Sequence, residues 1–466
     1  MAGGRGLWLA VAVAGVLSTG LRAQQGWTVR PEWVRAHEEF LASDVMAGRG
    51  SATRDEEIAA TYVASEFMGY GLKPAPGMSG YLQSAEVDAP VLSSDTVLSV
   101  SGIKLQQGKD FYVLFSTGSN VSGGLVRVAD GAVGKASVPK GSAVLLTDVP
   151  AGGSSLQNLG ALRRMAPALV VVEQDASTER MLTLLGGKAR IPMHLKEAAS
   201  STSSVTTVVA VSAAVMSHLK GVKEGESLSL SLGIVPQVKP RMTFNAIGYL
   251  PGSDPGSGTI LLTAHLDHLG VGRPVDGDGI FNGANDDAAG TTAVLELAHA
   301  LAAGPKLRRS ILFVCYGSEE PGELGSEYFG KHPPVPLKEL VTNLEFEMIG
   351  SQDPKMPKGE LLFTGWERSN LGPALKAHGA KLGPDPYPEE HFFERSDNYQ
   401  LALQGIVAHT AAGWGTVPTY HRPDDDIAHL NLEFMTSAIQ SLVEPVRWLA
   451  TSDFKPSWNP GGQPKR

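Results

Sequence analysis

Hydrophobic and polar residues follow two different patterns along this chain. Between about 86 and 238, short β-type runs such as "TVLSVSG" and "SAVLLTD" alternate with Gly/Ser turns, and acidic residues are sparse. That pattern predicts a β-rich inserted domain. From about 245 onward the order is strand, loop, helix and strand, which predicts a mostly parallel sheet sandwiched by helices. The expected fold class is therefore α/β with an inserted β-rich domain.

Individual elements follow from the same patterns. Buried strands are expected at "TILLTAH", "RRSILFVCY" and "LVTNLEFEMIG", with helices at "AAGTTAVLELAHALA" and from Leu432 to Ala450. The final segment has no apolar periodicity, so we expect it to be disordered. The predicted division of the mature chain is 24–85 and 239–452 for the main domain, 86–238 for the insertion, and 453–466 for the tail.

The N-terminus has the features of a leader that is removed from the mature protein. Arg5 precedes an apolar stretch from Leu7 to Leu17, and a small residue stands at Ala23. These features predict a secretory signal peptide over residues 1–23 and export to the periplasm or the extracellular space. A membrane anchor is the alternative, but the apolar stretch is shorter than the ~20 residues that a spanning helix needs.

Charge and cysteine content narrow the possible partners. The chain has 39 Lys and Arg against 48 Asp and Glu, a formal net charge of −9, and loss of the leader removes two more positive charges. An acidic protein of this kind is a poor partner for nucleic acid or for an anionic membrane. The single cysteine, Cys315, excludes an intramolecular disulfide and is expected to be a packed thiol inside a strand.

Candidate chemistry begins at the end of the first predicted strand of the main domain. "TILLTAH" ends at His265, and Asp267 follows two residues later. Because residues i and i+2 of a strand share a face, the two side chains can touch. A carboxylate on one ring nitrogen commonly supports a zinc-binding histidine. Taken alone, the pair is better explained by a structural hydrogen bond.

Acidic residues recur at the next strand ends and helix starts. Asp286 and Asp287 precede a predicted helix, where capping accounts for only one of them. Glu319 and Glu320 follow the second strand, where two adjacent carboxylates repel one another unless a cation compensates. Glu323, next in the same loop, is interpreted as an acid at a helix start.

The third strand and a late loop complete the set. Glu345 and Glu347 share one face of "NLEFEMIG", and His421 precedes the last helix in "TYHRPDDD". Each is explained singly by a solvated edge strand or a surface histidine. Together, two imidazoles and several carboxylates gathered where strands end are a ligand set for a pair of metal ions, with zinc the first choice and cobalt or manganese as alternatives.

These motifs, in this order, resemble a known family. "TAHLDHLG", "NGANDDAAG", "CYGSEEPGELGS", "NLEFEMIG" and "TYHRPDDD" look like the signature of the dinuclear-zinc aminopeptidases, a group that includes bacterial leucyl-type aminopeptidases and glutamate carboxypeptidase. "FLASDVMAGRGSAT" resembles the N-terminal segment of exported members. The insertion resembles the protease-associated domain that many members carry. The resemblance covers nearly the whole mature chain and implies a zinc-exopeptidase type of fold.

The resemblance also implies a role for each site residue and two zinc ions per chain. Glu319 would be the general base, and Asp267 would orient a zinc-binding histidine. Glu347 stands where the family usually has aspartate, and it is preferred over Glu345 because it directly precedes "MIG". The implied metal ligands are His265, Asp286 as the bridge, Glu320, Glu347 and His421.

The function implied is an exported aminopeptidase that hydrolyses peptides from the N-terminus with a zinc-activated water. A carboxypeptidase of the same family is one alternative; it would need a cationic group for the substrate carboxylate, and Arg368, Arg395 and Arg422 are the candidates in later segments. A single-zinc acyltransferase like glutaminyl cyclase and a receptor-like relative without activity are the others. Peptides are the expected partners, and the sequence does not determine an oligomeric state.

Overall fold

A computed structural model describes residues 27–93, 95–100, 103–116, 120–185, 189–198, 206–221, 229–233 and 236–465. The predicted leader, residues 1–23, lies outside the described residues. Within the ranges described, none of the helices combines the length and the apolar character that crossing a bilayer requires.

The strands, numbered in chain order, are β1 Leu82–Leu92, β2 Val97–Val100, β3 Ile103–Gln106, β4 Phe111–Phe115, β5 Val121–Ala129, β6 Ala143–Thr147, β7 Leu169–Glu173, β8 His194–Leu195, β9 Thr207–Val211, β10 Ser229–Gly233, β11 Pro236–Leu250, β12 Thr259–His265, β13 Gly270–Val275, β14 Asp278–Phe281, β15 Ser310–Tyr316, β16 Leu340–Glu347, β17 Leu361–Phe363, β18 Leu382–Pro384 and β19 Ala408–Ala412.

The α-helices are α1 Pro31–Leu41, α2 Arg54–Gly69, α3 Leu159–Arg164, α4 Ala176–Leu184, α5 Ala213–Gly221, α6 Ala289–Ala302, α7 Leu324–Lys331, α8 Leu371–Ala377, α9 Asn398–Ala402 and α10 Leu432–Thr451.

The main sheet has a parallel centre. Among the described residues it contains nine strands in the order β18-β17-β19-β16-β12-β15-β11-β1-β8. The four central strands β19, β16, β12 and β15 pair in parallel. From β12 the chain moves to one side to form β15 and later to the other side to form β16. Such a reversal opens a crevice at the carboxyl ends of the strands, which is where ligands bind in sheets of this kind.

Both faces of the main sheet are covered, which explains why its central strands are continuous apolar runs. On one face, Leu262 of β12 and Phe313 of β15 pack with α1, α2, α6 and α10 in a single core. On the other face, Leu261 and Leu312 pack against residues of α7 and α9. Cys315 of β15 is buried as a free thiol. The predicted α/β class with a helix-covered, mostly parallel sheet is confirmed.

A second sheet lies between β1 and β11 in the chain. Its order among the described residues is β3-β2-β10-β5-β6-β7-β9-β4, with β5, β6, β7 and β9 parallel. The helices α3, α4 and α5 also fall within this strand-rich unit, and the sequence patterns did not predict them. These helices are too short to show a clear helical periodicity in the sequence, since α3 has only six residues and α4 and α5 have nine each.

Two long antiparallel strands connect the sheets. β1 pairs with β11 from Leu82 opposite Ala246 to Leu92 opposite Pro236. The predicted boundaries at 86 and 238 therefore fall inside strands of the main sheet, and the division of the chain into domains stays a prediction.

The prediction of a disordered tail was wrong for residues 453–465, which the structure describes. The Trp458 ring packs against Phe393 and His409, and its indole N–H donates a hydrogen bond to the carbonyl oxygen of Gly405 at 3.0 Å. One aromatic anchor of this kind leaves no periodic pattern in a sequence, although it stabilises the segment by burying a large ring.

Candidate metal centre

The predicted site residues meet at the crevice beside β12. His265 ends β12, Glu319 and Glu320 follow β15, and Glu347 ends β16. Asp286 lies in the turn before α6, and its peptide bond with Asp287 is cis. The parallel pairing of β12 with β15 and β16 brings these chain segments to one edge of the sheet, as expected for strands that run in the same direction.

A first group of possible metal ligands consists of His265, Asp286 and Glu347. One ligand atom from each lies within 4.8 Å of the other two. The Nε2 atom of His265 is 3.2 Å from Oδ1 of Asp286, and both side chains are buried. One imidazole and two carboxylates are a chemically suitable set for zinc.

A second group shares Asp286. Nε2 of His421 lies 3.2 Å from Oδ2 of Asp286 and 3.1 Å from Oε2 of Glu320. His268, which the sequence analysis did not single out, lies in the same group with Asp286 and Glu320. Its only sequence signal was its place in the string "HLDH", three residues after His265. The two oxygens of Asp286 thus face two different groups.

Glu345 lies elsewhere, although it is on the same strand as Glu347. Its carboxylate accepts hydrogen bonds from the backbone N–H of Asn398 and from the hydroxyl of Thr410 at 3.3 Å. Burial raises the pKa of Glu345 well above its usual range. The structure therefore brings Glu347, and not Glu345, to His265 and Asp286.

Asp267 contacts more than His265. Its Oδ1 atom is 3.7 Å from Nδ1 of His265, longer than a hydrogen bond. Its oxygens accept hydrogen bonds from the backbone N–H of Glu319 at 2.9 Å and from the hydroxyl of Ser51 at 2.5 Å. Asp267 thereby fixes the turn that carries the two adjacent glutamates, while also placing a negative charge beside His265.

Glu319 is partly buried next to both groups. Burial raises the pKa of its carboxyl well above the usual range, and the negative charges of Glu320 and Asp397 act in the same direction, against the influence of His265. Glu320 behaves differently: burial and Asp286 oppose its ionisation, but His268 and His421 lower its pKa to about 2. Adjacent carboxylates with opposite shifts indicate different chemical roles.

Unpaired buried atoms show that the chemistry of this site fits a metal cation. Among the described residues, neither ring nitrogen of His265 or His268 has a hydrogen-bond partner, and the same is true of Oδ2 of Asp286 and Oε1 of Glu320. Buried polar atoms are normally hydrogen-bonded, because leaving one unpaired costs about 1–3 kcal/mol. Cations held between the carboxylates and imidazoles would satisfy these atoms together.

A set of buried charged side chains holds the ligand loops in place. The guanidinium of Arg49 donates to four backbone carbonyls, including those of Leu266 and Gly283 at 2.8 Å each. Asp425 accepts from the backbone N–H of Asp286 at 3.0 Å, and Glu56 accepts from the backbone N–H of Ser318 at 3.0 Å. These bonds connect each ligand-bearing turn to another part of the chain.

Asp287 has the capping role expected for one of the two adjacent aspartates. Its Oδ1 atom accepts hydrogen bonds from the backbone N–H groups of Gly290 and Met348, each at 2.9 Å. It therefore connects the start of α6 to the end of β16, and Asp286 is left free to face the histidines.

The second sheet also reaches this site. Nη2 of Arg190 donates a hydrogen bond to the carbonyl oxygen of Glu320 at 3.2 Å. Arg190 lies in an isolated bridge with Phe115 of β4, so it is part of the second sheet's framework. A cleft also lies next to Glu347. Its lining includes Met348, Leu362, Phe392, Arg395, Gly415 and Tyr420.

Comparison with known proteins shows that part of this chain is similar to peptidases. Residues 245–444 match Peptidase family M28. The chain is 35% identical over 209 residues to leupeptin-inactivating enzyme 1 of Streptomyces exfoliatus, covering 40% of this chain and 44% of that protein. It is 26% identical over 186 residues to aminopeptidase YwaD of Bacillus subtilis, covering 38% of each. The matches thus span less than half of these curated relatives.

Solved structures share the fold. An aminopeptidase from Aneurinibacillus sp. strain AM-1 superposes with a TM-score of 0.58 at 19% identity, covering 94% of this chain and 98% of that one. The zinc aminopeptidase BSAP from Bacillus subtilis gives 0.54 at 18% identity, covering 91% and 96%. These likenesses show that the chain shares their α/β fold. Residues 245–444 are thus similar to peptidase family M28.

Proposed function

We propose that this protein is an exported aminopeptidase that uses two zinc ions, with the leader 1–23 removed on export. The observation that carries the proposal is the pair of ligand groups that share Asp286, with Glu319 beside both. His265, Asp286 and Glu347 would hold one ion, and Asp286, Glu320 and His421 the other. The aminopeptidases among the relatives and the structural neighbours support the same activity.

The proposed chemistry divides between the ions and the chain. Zinc bound in such a pair supplies a water molecule of lowered pKa and a Lewis acid for the scissile carbonyl. Glu319 would take the proton from that water and transfer it to the departing amine, because its raised pKa suits a group that must hold a proton in passing. Asp267 would keep Glu319 in place through the hydrogen bond from its backbone N–H.

The cleft beside Glu347 is the proposed pocket for the substrate's first side chain. Of the three arginines considered for a carboxypeptidase, only Arg395 lines it, and its guanidinium is 3.3 Å from Glu390. Arg368 pairs with Glu394, and Arg422 pairs with Asp424. All three charges are already paired, which favours an aminopeptidase. The second ligand group likewise favours hydrolysis over the single-zinc acyltransferase.

Substrate blocking tests this function directly. We expect the protein to release p-nitroaniline from an aminoacyl p-nitroanilide and to act on the N-acetylated compound with kcat/KM lower by about one to two orders of magnitude. The reason is that losing an interaction with a charged amine costs roughly 1.5–3 kcal/mol. Equal activity on both compounds would reject an aminopeptidase. A preference for peptides with a free C-terminal carboxylate and a blocked amine would identify a carboxypeptidase.

Substitutions at the two glutamates of β16 test the first metal group. We expect Glu347→Gln to lower the zinc content from two ions per chain toward one, because a neutral amide is a weaker ligand than a carboxylate. Glu345→Gln is the matched control and should retain two ions, since a glutamine resembles the protonated acid that burial favours there. Zinc is measured by elemental analysis after dialysis. Loss of zinc in the Glu345 variant alone would reject the assignment of Glu347.

A further inference from the structure

His268 lies at the metal centre without having a place in the proposed ligand set. It is fully buried, and its backbone N–H donates to the carbonyl oxygen of Arg49 at 3.1 Å. The backbone of Gly283, with a φ of +61°, lies directly beside the imidazole ring of His268. A Cβ atom at this glycine would be 2.5 Å from Cγ of His268. Only a glycine leaves room for the ring at this distance, so the backbone fixes where the imidazole points.

The ring nitrogen Nδ1 is close to both carboxylates of the second group. It lies 2.8 Å from Oε1 of Glu320 and 3.9 Å from Oδ2 of Asp286. Despite the short distance, Nδ1 and Oε1 form no hydrogen bond with each other or with any other described residue. The two atoms are close without being aligned as donor and acceptor.

The same arrangement occurs in the first group. Nε2 of His265 is 3.2 Å from Oδ1 of Asp286 and also lacks a hydrogen-bond partner among the described residues. Ligand atoms that converge on a shared ion show this geometry, because each lone pair points at the ion rather than at its neighbour. A hydrogen-bonded pair points its donor at the acceptor instead.

We propose that His268 is an additional metal ligand, which binds through Nδ1 the ion held by Asp286, Glu320 and His421. This inference rests on the proposed two-zinc function. It makes the centre asymmetric, with two imidazoles in the second group and one in the first. Since imidazole favours zinc over hard cations such as magnesium, the second group should bind zinc more tightly and fill first.

The competing role for His268 is a hydrogen bond that only orients Glu320, and two variants distinguish the roles. His268→Asn keeps an N–H donor near the position of Nδ1 but replaces the imidazole nitrogen with an amide, which is a weaker ligand for zinc. His268→Ala removes both. The control is His299→Asn, at a histidine that stacks on Tyr70 in the aromatic cluster beside α1. Far-ultraviolet circular dichroism of the zinc-free proteins verifies that each variant is folded.

The measurement is zinc affinity, obtained by titrating the zinc-free protein in competition with a chromophoric chelator. Loss of an orienting partner typically costs 10–100-fold in metal affinity. We expect both His268 variants to weaken the tighter site by more than about 100-fold, while His299→Asn leaves it unchanged. Cobalt(II) bound first to the zinc-free protein should also show a changed visible absorption spectrum in both His268 variants, because its ligand set is altered.

Two results would overturn the inference. If His268→Asn binds zinc within about tenfold of wild type while His268→Ala does not, His268 orients Glu320 and is not a ligand. If both variants keep wild-type affinity and spectra, the ring has no part in metal binding. A wild-type protein that binds fewer than two zinc ions would instead contradict the proposed function, so the two failures are distinguishable.

Discussion

Glu319→Gln should reduce kcat for an aminoacyl p-nitroanilide by about 10³-fold, within the range that a positioned general base contributes. Glutamine keeps the size of the side chain but can no longer take a proton from water. Because Glu319 is in neither ligand group, the zinc content should stay at its wild-type value. The measurement is the steady-state rate together with elemental analysis of the same sample.

Glu323→Gln is the matched control for this variant. Glu323 lies in the same loop, at the start of α7, where its carboxylate accepts a hydrogen bond from Gln400 at 2.9 Å. Burial raises its pKa to about 7, so a neutral side chain is readily accommodated there. We expect nearly wild-type activity from this variant. If Glu319→Gln keeps a tenth or more of the wild-type rate, another group transfers the proton.

The parts of the fold that sequence reasoning predicts well are those buried on both faces. Strands β12, β15 and β16 are continuous apolar runs because helices cover the sheet on both sides. Charged residues at the ends of such apolar runs are easy to recognise in a sequence. If the strands pair in parallel, these residues are expected at the same edge of the sheet. Hence His265 could be associated with the glutamate pairs 319/320 and 345/347 from their positions in the chain, whereas the choice within each pair came from the family resemblance.

The supporting residues could not be predicted in the same way. Arg49 and Glu56 are far from the ligands in sequence, and each acts through hydrogen bonds to backbone groups that only the folded chain brings near. A buried arginine belongs to no periodic pattern of hydrophobic residues, so the sequence does not distinguish it from an exposed arginine. His268 belongs to the same class, since the space for its ring depends on the backbone at Gly283.

The second sheet illustrates a different limit. Its strands were recognised as short β-type runs, but its hydrogen bond to the centre, among the residues that the structure describes, comes from the side chain of Arg190, whose guanidinium donates to the carbonyl oxygen of Glu320. Sequence patterns report which residues are buried within a unit. They do not report how one unit lies against another, because that depends on few contacts.

Removing zinc should abolish activity and destabilise the folded protein. Without cations, the buried carboxylates of Asp286, Glu320 and Glu347 repel one another. A ligand that binds only the folded state stabilises it by about 4 kcal/mol when its free concentration is roughly 1,000 times Kd. We therefore expect chelation to lower the melting temperature by about 5–10 °C, measured by calorimetry, and readdition of zinc to restore both stability and activity.

The difference in melting temperature between the zinc-bound and zinc-free forms should widen as pH rises. In the zinc-free protein the pKa of Glu319 is raised well above its usual range and that of His421 to about 10, so both groups bind protons more tightly when folded than when unfolded. Their contributions to stability are complete below the unfolded pKa values and are lost as pH rises toward the folded ones. Zinc displaces the proton of its ligand His421 and therefore binds more tightly at higher pH. The zinc-dependent shift in melting temperature should thus be larger at pH 8 than at pH 6, and a shift that shrinks over this interval would mean that zinc binds elsewhere.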